Sequence, residues 1–155
     1  MLRRAAALQA ADDAPGAAAL YRQVVAAEPR DAVAWALCGG ALLAAGDGAA
    51  AVDALETAAM LAPQDDDIAV EYAIVLQAAG RPADAVDVLA GRDARLQDSE
   101  RAQAVQADAL AALGRVGDAV AHYQRVLALA PANNAARIAL GVCQQRLDDF
   151  PAAVA

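Results

Sequence analysis

The sequence contains no lysine, and all twelve of its basic residues are arginines. Against 20 acidic residues this leaves a formal net charge of −8 in a chain of 155 residues. An acidic chain without a basic cluster is poorly matched to nucleic acid, because binding there depends on neutralising phosphates. We therefore expect no nucleic-acid partner.

Histidine, serine and threonine, which could act as base or nucleophile, are also scarce. The chain has one histidine, His122, one serine, Ser99, and one threonine, Thr57. They do not form a set of nucleophile, base and orienting group, and no His, Cys or carboxylate cluster has metal-ligand spacing. We interpret Ser99 as a helix cap and His122 as a solvated surface residue. We predict no catalytic activity, no cofactor and no metal.

Cysteines and long apolar runs are also few. Only Cys38 and Cys143 are present, 105 residues apart, which indicates inert core thiols in a reducing, cytoplasmic location rather than a disulfide framework. The longest uncharged run, 32–46, has fifteen residues, short of the roughly 20 needed to cross a bilayer. The sequence predicts no membrane segment.

Aromatic side chains make up 3% of a chain that is 59% hydrophobic. Alanine and leucine therefore supply most of the apolar surface. A core built largely from alanine methyl groups requires backbones to approach closely, which favours packed helices over a sheet of β-branched side chains.

The prolines that are present reveal a period. Pro29, Pro63 and Pro131 are separated by 34 and 68 residues, and Gln97 occupies the skipped position. Repetition at this length is typical of a helical solenoid.

Other columns at the same interval support helix–turn–helix units. Two residues after each proline position stands a residue that favours a helix N-cap: Asp31, Asp65, Ser99 and Asn133. Fifteen residues after each of these caps stands a residue expected to close the helix, which is glycine in three copies: Gly46, Gly80, Gly114 and Asp148. Asp12 occupies the same column in the first copy. Five residues beyond comes a constant alanine: Ala17, Ala51, Ala85, Ala119 and Ala153.

One short motif has an alternative interpretation. Gly46, Gly48 and Ala51 match the G-x-G-x-x-A spacing of a dinucleotide-binding turn. That turn follows a strand, whereas residues 32–45 carry a helical pattern. We interpret the motif as a bend between two helices.

The columns resemble the tetratricopeptide repeat, a 34-residue helix–turn–helix unit. Trp35 and Gly39 occupy the family's tryptophan and glycine positions, and the match continues along the same copy through Leu42, Ala51, Leu55, Ala58 and Pro63. The resemblance implies an all-α fold, a right-handed α-solenoid of antiparallel helix pairs, over 1–155 as a single domain. The expected repeats are a partial copy, 1–31, full copies, 32–65, 66–99 and 100–133, and a truncated copy, 134–155.

The resemblance also predicts where the helices lie. First helices are expected near 32–45, 66–79, 100–113 and 134–147, second helices near 48–61, 82–90 and 116–129, and an earlier pair near 2–11 and 16–28. Gly91, Arg92 and Asp93 fall where a second helix should still pack apolar residues. We therefore expect that helix to be short or broken near Gly91.

In this family the first helices line a concave groove that binds partners. Carried onto this chain, the groove is mostly aliphatic with a few acids, which suits an apolar peptide or helix with some positive charge. The candidate residues are Val33, Ala36, Leu37, Gly40, Leu43, Val70, Glu71, Ile74, Gln77, Ala104, Val105, Asp108, Ile138, Val142 and Gln145. Chaperone-binding members clamp a peptide carboxylate with lysine, but Ala36, Val70, Ala104 and Ile138 stand at that position.

Three functions stay open from the sequence. The first is a non-catalytic scaffold that binds a protein or peptide. The second is a recruiting arm of a larger enzyme, such as a transferase, because the chain stops inside a repeat. The third is a small acidic export chaperone. An uncapped apolar end is also expected to allow a homodimer.

Overall fold

The computed structural model describes residues 1–149, which form ten α-helices and no strand. The chain divides into two compact units after Gly80. The helices of the first unit are α1 (Leu2–Ala10), α2 (Ala14–Ala27), α3 (Ala32–Ala44), α4 (Gly48–Leu61) and α5 (Asp66–Ala78). Those of the second are α6 (Pro82–Leu89), α7 (Asp93–Leu96), α8 (Glu100–Ala112), α9 (Val116–Leu129) and α10 (Asn134–Asp149).

The predicted helices are confirmed. Every predicted helix is present, and each end lies within two residues of its expected position. Within the first unit each helix packs against the next, and the first helices α3 and α5 also contact each other. Within the second unit α8 packs against α6 and α9, and α9 packs against α10.

Side-chain caps explain why the first helices begin where they do. Asp31 and Asp65 each accept a hydrogen bond at 3.0 Å from the amide three residues on. Ser99 Oγ does the same at 3.2 Å and Asn133 Oδ1 at 2.9 Å. Each cap satisfies an amide that the helix itself leaves unpaired, which is worth about 1 kcal/mol. Ser99 is thus a cap, as predicted.

The break near Gly91 is also confirmed. Helix α6 ends at Leu89, Gly91 has a φ of +76°, and the four-residue α7 follows. Glycine adopts this left-handed conformation without a Cβ penalty. The copy 66–99 therefore replaces the second half of its second helix with a turn and one helical turn.

The alanine column is buried in the helical packing. Ala17, Ala51, Ala85 and Ala119 are all fully buried, and side chains this small let packed helices approach closely. In the neighbouring column of large residues Tyr21, Leu55, Leu89 and Tyr123 are buried as well.

Two expectations at the end of the chain have different outcomes. Asp148 does not close its helix, because α10 continues to Asp149. Ala153 and the rest of 150–155 lie outside the described residues, so the truncated last repeat and the single domain over 1–155 stay predictions.

Candidate polypeptide-binding surfaces

In the first unit, α3 presents an apolar stripe. Val33 and Leu37, four residues apart and therefore on one face, are 59% and 39% exposed. Three further predicted groove residues of this helix, Ala36, Gly40 and Leu43, are half-buried. The stripe leaves aliphatic surface open to a partner.

Helix α5 offers less surface than the sequence predicts. Glu71, Ile74 and Gln77 are half-buried, whereas Val70 is only 4% exposed. Val70 packs into the helical layer and therefore offers little surface to a partner.

In the second unit, the predicted groove residues of α8 and α10 also differ in solvent exposure. Val105 is 8% exposed and is likewise not an accessible groove residue, because its side chain packs inside the layer. Ala104 is half-buried and Asp108 is exposed. On α10, Ile138 and Val142 are 69% and 53% exposed. Gln145 on the same helix is exposed too.

Asp108 is held in place from the second helix. The Tyr123 hydroxyl donates a 2.5 Å hydrogen bond to Asp108 Oδ1. Burial of the phenol, followed by this bond and the nearby carboxylate charge, raises the pKa of Tyr123 well above its usual value of 10.0. The carboxylate is therefore a pre-oriented acceptor on the first-helix surface.

A groove that the sequence does not predict lies beside the second helices of the first unit. A space of about 560 Å³ lies between α2 and α4, with Trp35 and Cys38 of α3 in its lining. Trp35 Nε1 donates to the Pro29 carbonyl at 3.0 Å. Arg22, also in the lining, forms a 3.0 Å ion pair with Asp47. The groove is largely apolar with a charged rim.

A second groove occupies the equivalent place in the second unit. A space of about 570 Å³ lies between α6 and α9, with Gln106 and Leu110 of α8 in its lining. These two residues stand 68 positions after Cys38 and Leu42, which line the first groove. The 34-residue spacing relates the two grooves, so their equivalent positions are visible in the sequence once one groove is located.

His122 belongs to this second groove and is not the solvated residue that the sequence predicts. Its side chain is half-buried and its Nδ1 lies 2.8 Å from Gln103 Oε1. Burial and then the charge of Arg125 lower the pKa of His122 below its ordinary 6.5, against the opposing effect of Asp93 and Asp118. The imidazole is therefore neutral at physiological pH.

Gln106 contributes an unsatisfied acceptor to the same lining. The side chain is 6% exposed, and its Nε2 donates to Asp93 Oδ1 at 3.1 Å. Its Oε1 is buried with no hydrogen-bond partner among residues 1–149. An acceptor buried in this way costs about 1–3 kcal/mol.

The two cysteine thiols lie in the packed interior. Cys38 and Cys143 are buried, as predicted, and burial raises the pKa of both thiols, which keeps them weakly nucleophilic. Within the described part of the chain no three His, Cys, Asp or Glu side chains are grouped to hold a metal ion. None of the helices found there is long and apolar enough to span a membrane.

Sequence comparison gives one family. Residues 5–137 match the family model described as the cytochrome c-type biogenesis protein H TPR domain. No curated protein matches the sequence.

Solved structures share the fold over most of their length. The MamA 41-end structure from Desulfovibrio magneticus RS-1 has a TM-score of 0.85 at 20% identity, covering 97% of this chain and 85% of that chain. YrrB, described as a TPR protein with an unusual peptide-binding site, has a TM-score of 0.78 at 19% identity, covering 99% and 79%. The first TPR of Spaghetti (RPAP3), bound to the HSP90 peptide SRMEEVD, has a TM-score of 0.71 at 22% identity, covering 76% and 93%. Together with the ten helices, these likenesses confirm the predicted α-solenoid class.

Proposed function

The chain belongs to the TPR domain family of cytochrome c-type biogenesis protein H, and from this premise we propose that it is a non-catalytic scaffold that binds a polypeptide segment on its first helices. YrrB, which has an unusual peptide-binding site, and RPAP3, which binds an HSP90 peptide, share this fold, and this supports polypeptide recognition as the type of function.

The exposed aliphatic stripes carry the proposal. Val33 and Leu37 on α3, and Ile138 and Val142 on α10, follow helical i, i+4 spacing and are 39–69% exposed. Apolar side chains grouped on one face are typical of a surface that a partner covers. Burying them against a partner releases water from apolar surface, which is the main source of binding free energy.

The charges around the stripes indicate the chemistry of the partner. Glu71 and Asp108 are the acidic members of the predicted groove, no lysine is available, and the whole chain carries −8. An apolar helix or extended segment with some positive charge satisfies both features, since complementary charge speeds association and disfavours wrong partners.

The experiment uses a haem-free c-type cytochrome polypeptide as probe, because the family is described by cytochrome c-type biogenesis. We expect Val33→Glu with Leu37→Glu to weaken its binding about tenfold or more, since buried anchor residues commonly contribute over 1 kcal/mol each. The matched control is Met60→Glu with Leu61→Glu, which charges two exposed apolar residues on the second helix α4. Isothermal titration calorimetry measures both.

The second unit is tested in the same way. Ile138→Glu with Val142→Glu should weaken binding, whereas Leu113→Glu with Leu129→Glu, also exposed apolar positions, should not. Sedimentation velocity of the same variants reports whether the α10 stripe pairs two copies of the chain instead. Equal losses in test and control variants would remove the first helices as the binding surface.

A further inference from the structure

The second groove forms a cavity between α6 and α9, and this cavity contains polar groups that do not belong to the proposed first-helix surface. It has a volume of about 570 Å³ and includes His122, Gln106, Asp87 and Asp93 in its lining. Volumes of this size are typical of ligand sites. The break after Leu89 places Asp93 there, on the short α7.

The hydrogen bonds around His122 determine which ring nitrogen carries the proton. Gln103 is fully buried and its Nε2 donates to the Leu96 carbonyl at 3.1 Å. Its Oε1 must therefore face His122 as an acceptor, so His122 Nδ1 donates the 2.8 Å hydrogen bond. In the neutral ring Nε2 then carries no proton and can accept a hydrogen bond.

Carboxylates outnumber guanidinium groups in this lining, which also contains Arg125, whose positive charge helps to lower the pKa of His122. Gln106 Oε1 is buried without a partner in the described part of the chain, and Asp87 lies in the lining. Arg115 is already paired with Asp118 at 2.6 Å. The lining has a formal charge of −1 while His122 is neutral, because it contains three carboxylates and two guanidinium groups, those of Asp87, Asp93, Asp118, Arg115 and Arg125.

We propose that this cavity is a second binding site, which takes the guanidinium group of an arginine side chain from a partner polypeptide. Asp87 and Asp93 supply the opposite charge, and His122 Nε2 accepts one of the guanidinium N–H groups. A planar group with five N–H donors in a fixed arrangement suits several acceptors that approach from different sides.

The equivalent groove of the first unit explains why the site belongs to the second unit alone. At the repeat position of His122 the first groove has Ala54, and at that of Gln106 it has Cys38. Its Arg22 adds a positive charge where the second groove has Ala90. The apolar groove therefore lacks both the ring acceptor and the excess of carboxylates.

His122 allows a direct test, because it is the only histidine in the chain. The probe is the peptide acetyl-Ala-Ala-Arg-Ala-Ala-amide, and its control contains citrulline, which has the shape of arginine without its charge. In long-range ¹H–¹⁵N spectra we expect Nδ1 protonated in the free protein. The arginine peptide should shift the Nε2 resonance saturably and lower the pKa of His122 further, while the citrulline peptide does neither.

Variants locate the interaction. Asp87→Asn should weaken binding of the arginine peptide about threefold, as expected for one partly solvated ion pair. Asp98→Asn removes an exposed carboxylate that does not line the cavity, and it should leave the affinity unchanged. The first-helix variant Val33→Glu with Leu37→Glu should also bind the peptide normally, which separates this site from the proposed function.

The pH dependence provides a second readout. Protonation of Nε2 removes the acceptor and adds a positive charge, so affinity should fall as the pH drops through the titration of His122 seen by NMR. His122→Gln retains an acceptor that does not titrate, and its affinity should be flat between about pH 5 and pH 7. Equal binding of the arginine and citrulline peptides, no change of the His122 resonances at saturation, or an unaltered pH profile in His122→Gln would each overturn the site.

Discussion

At the residue scale, two buried tyrosines at the same repeat position differ in the group that accepts the hydrogen bond from their hydroxyl. Tyr123 donates to the carboxylate of Asp108 at 2.5 Å, whereas Tyr21 donates to the amide of Gln9 at 3.3 Å. Hydrogen bonds to charged acceptors are shorter and about twice as strong as those between neutral groups. The pair therefore compares a short hydrogen bond to a charged acceptor with a longer one to a neutral acceptor.

We predict that Tyr123→Phe lowers the free energy of unfolding by about 1.5–3 kcal/mol and Tyr21→Phe by about 0.5–1.5 kcal/mol. The first change leaves a carboxylate without its donor, and the second leaves a neutral amide. Urea denaturation monitored by circular dichroism measures both. If Tyr21→Phe were the more damaging variant, the ranking by acceptor charge would fail.

The lowered pKa of His122 also has a consequence for stability. Because the folded state disfavours the charged ring, its contribution to the free energy of unfolding is present above the ordinary pKa of 6.5 and is lost as pH falls through the lower folded value. We expect stability to decrease between neutral and mildly acid pH, and His122→Gln to remove that part of the decrease. Gln124→Ala, on an exposed residue of the same helix, should retain the normal pH profile in urea titrations.

At the element scale, adjacent glycines show how closely α3 and α4 cross. A Cβ at Gly39 would lie 2.7 Å from Leu55 Cγ and 3.2 Å from the Ala51 carbonyl, while one at Gly40 would meet nothing within 4 Å. An added methyl group should therefore change the free energy of unfolding in opposite directions at these neighbouring positions. Only the helix crossing distinguishes them.

We predict that Gly39→Ala lowers the free energy of unfolding by about 1–3 kcal/mol, because the packed Leu55 must move. Gly40→Ala should raise it by about 0.5–1 kcal/mol, since alanine is the better helix former. Thermal unfolding of the two variants provides the comparison. A stabilised Gly39→Ala protein would show that the crossing has room to spare.

At the scale of the whole molecule, charge restricts the partners. The chain carries −8 and has no lysine, and Ala36, Val70, Ala104 and Ile138 occupy the position of the family's clamp lysine. An acidic peptide carboxylate would therefore meet repulsion without a compensating cation.

We predict that the peptide SRMEEVD, which RPAP3 binds in its solved complex, does not bind this chain measurably at physiological salt. Fluorescence polarisation of the labelled peptide measures the affinity. The reversed-charge peptide SRMKKVK serves as the control and should bind more tightly. Micromolar affinity for SRMEEVD would mean that some arginines converge on a carboxylate after all.

Local chemistry made the helices predictable. The caps at Asp31 and Ser99, the helix ends and the break at Gly91 depend on hydrogen bonds and φ angles within about five residues. The 34-residue spacing then repeats the same local solution along the chain. These features are determined by residues that are neighbours in sequence, so the sequence by itself was sufficient for them.

Exposure and protonation were decided only by the tertiary structure. Val70 and Ile138 occupy one repeat position, yet they are 4% and 69% exposed. His122 is half-buried and bonded to Gln103, nineteen residues away. The physical reason is that burial, desolvation and hydrogen-bond partners are set by side chains from other helices, and a repeat pattern specifies the position of a residue without specifying what packs against it.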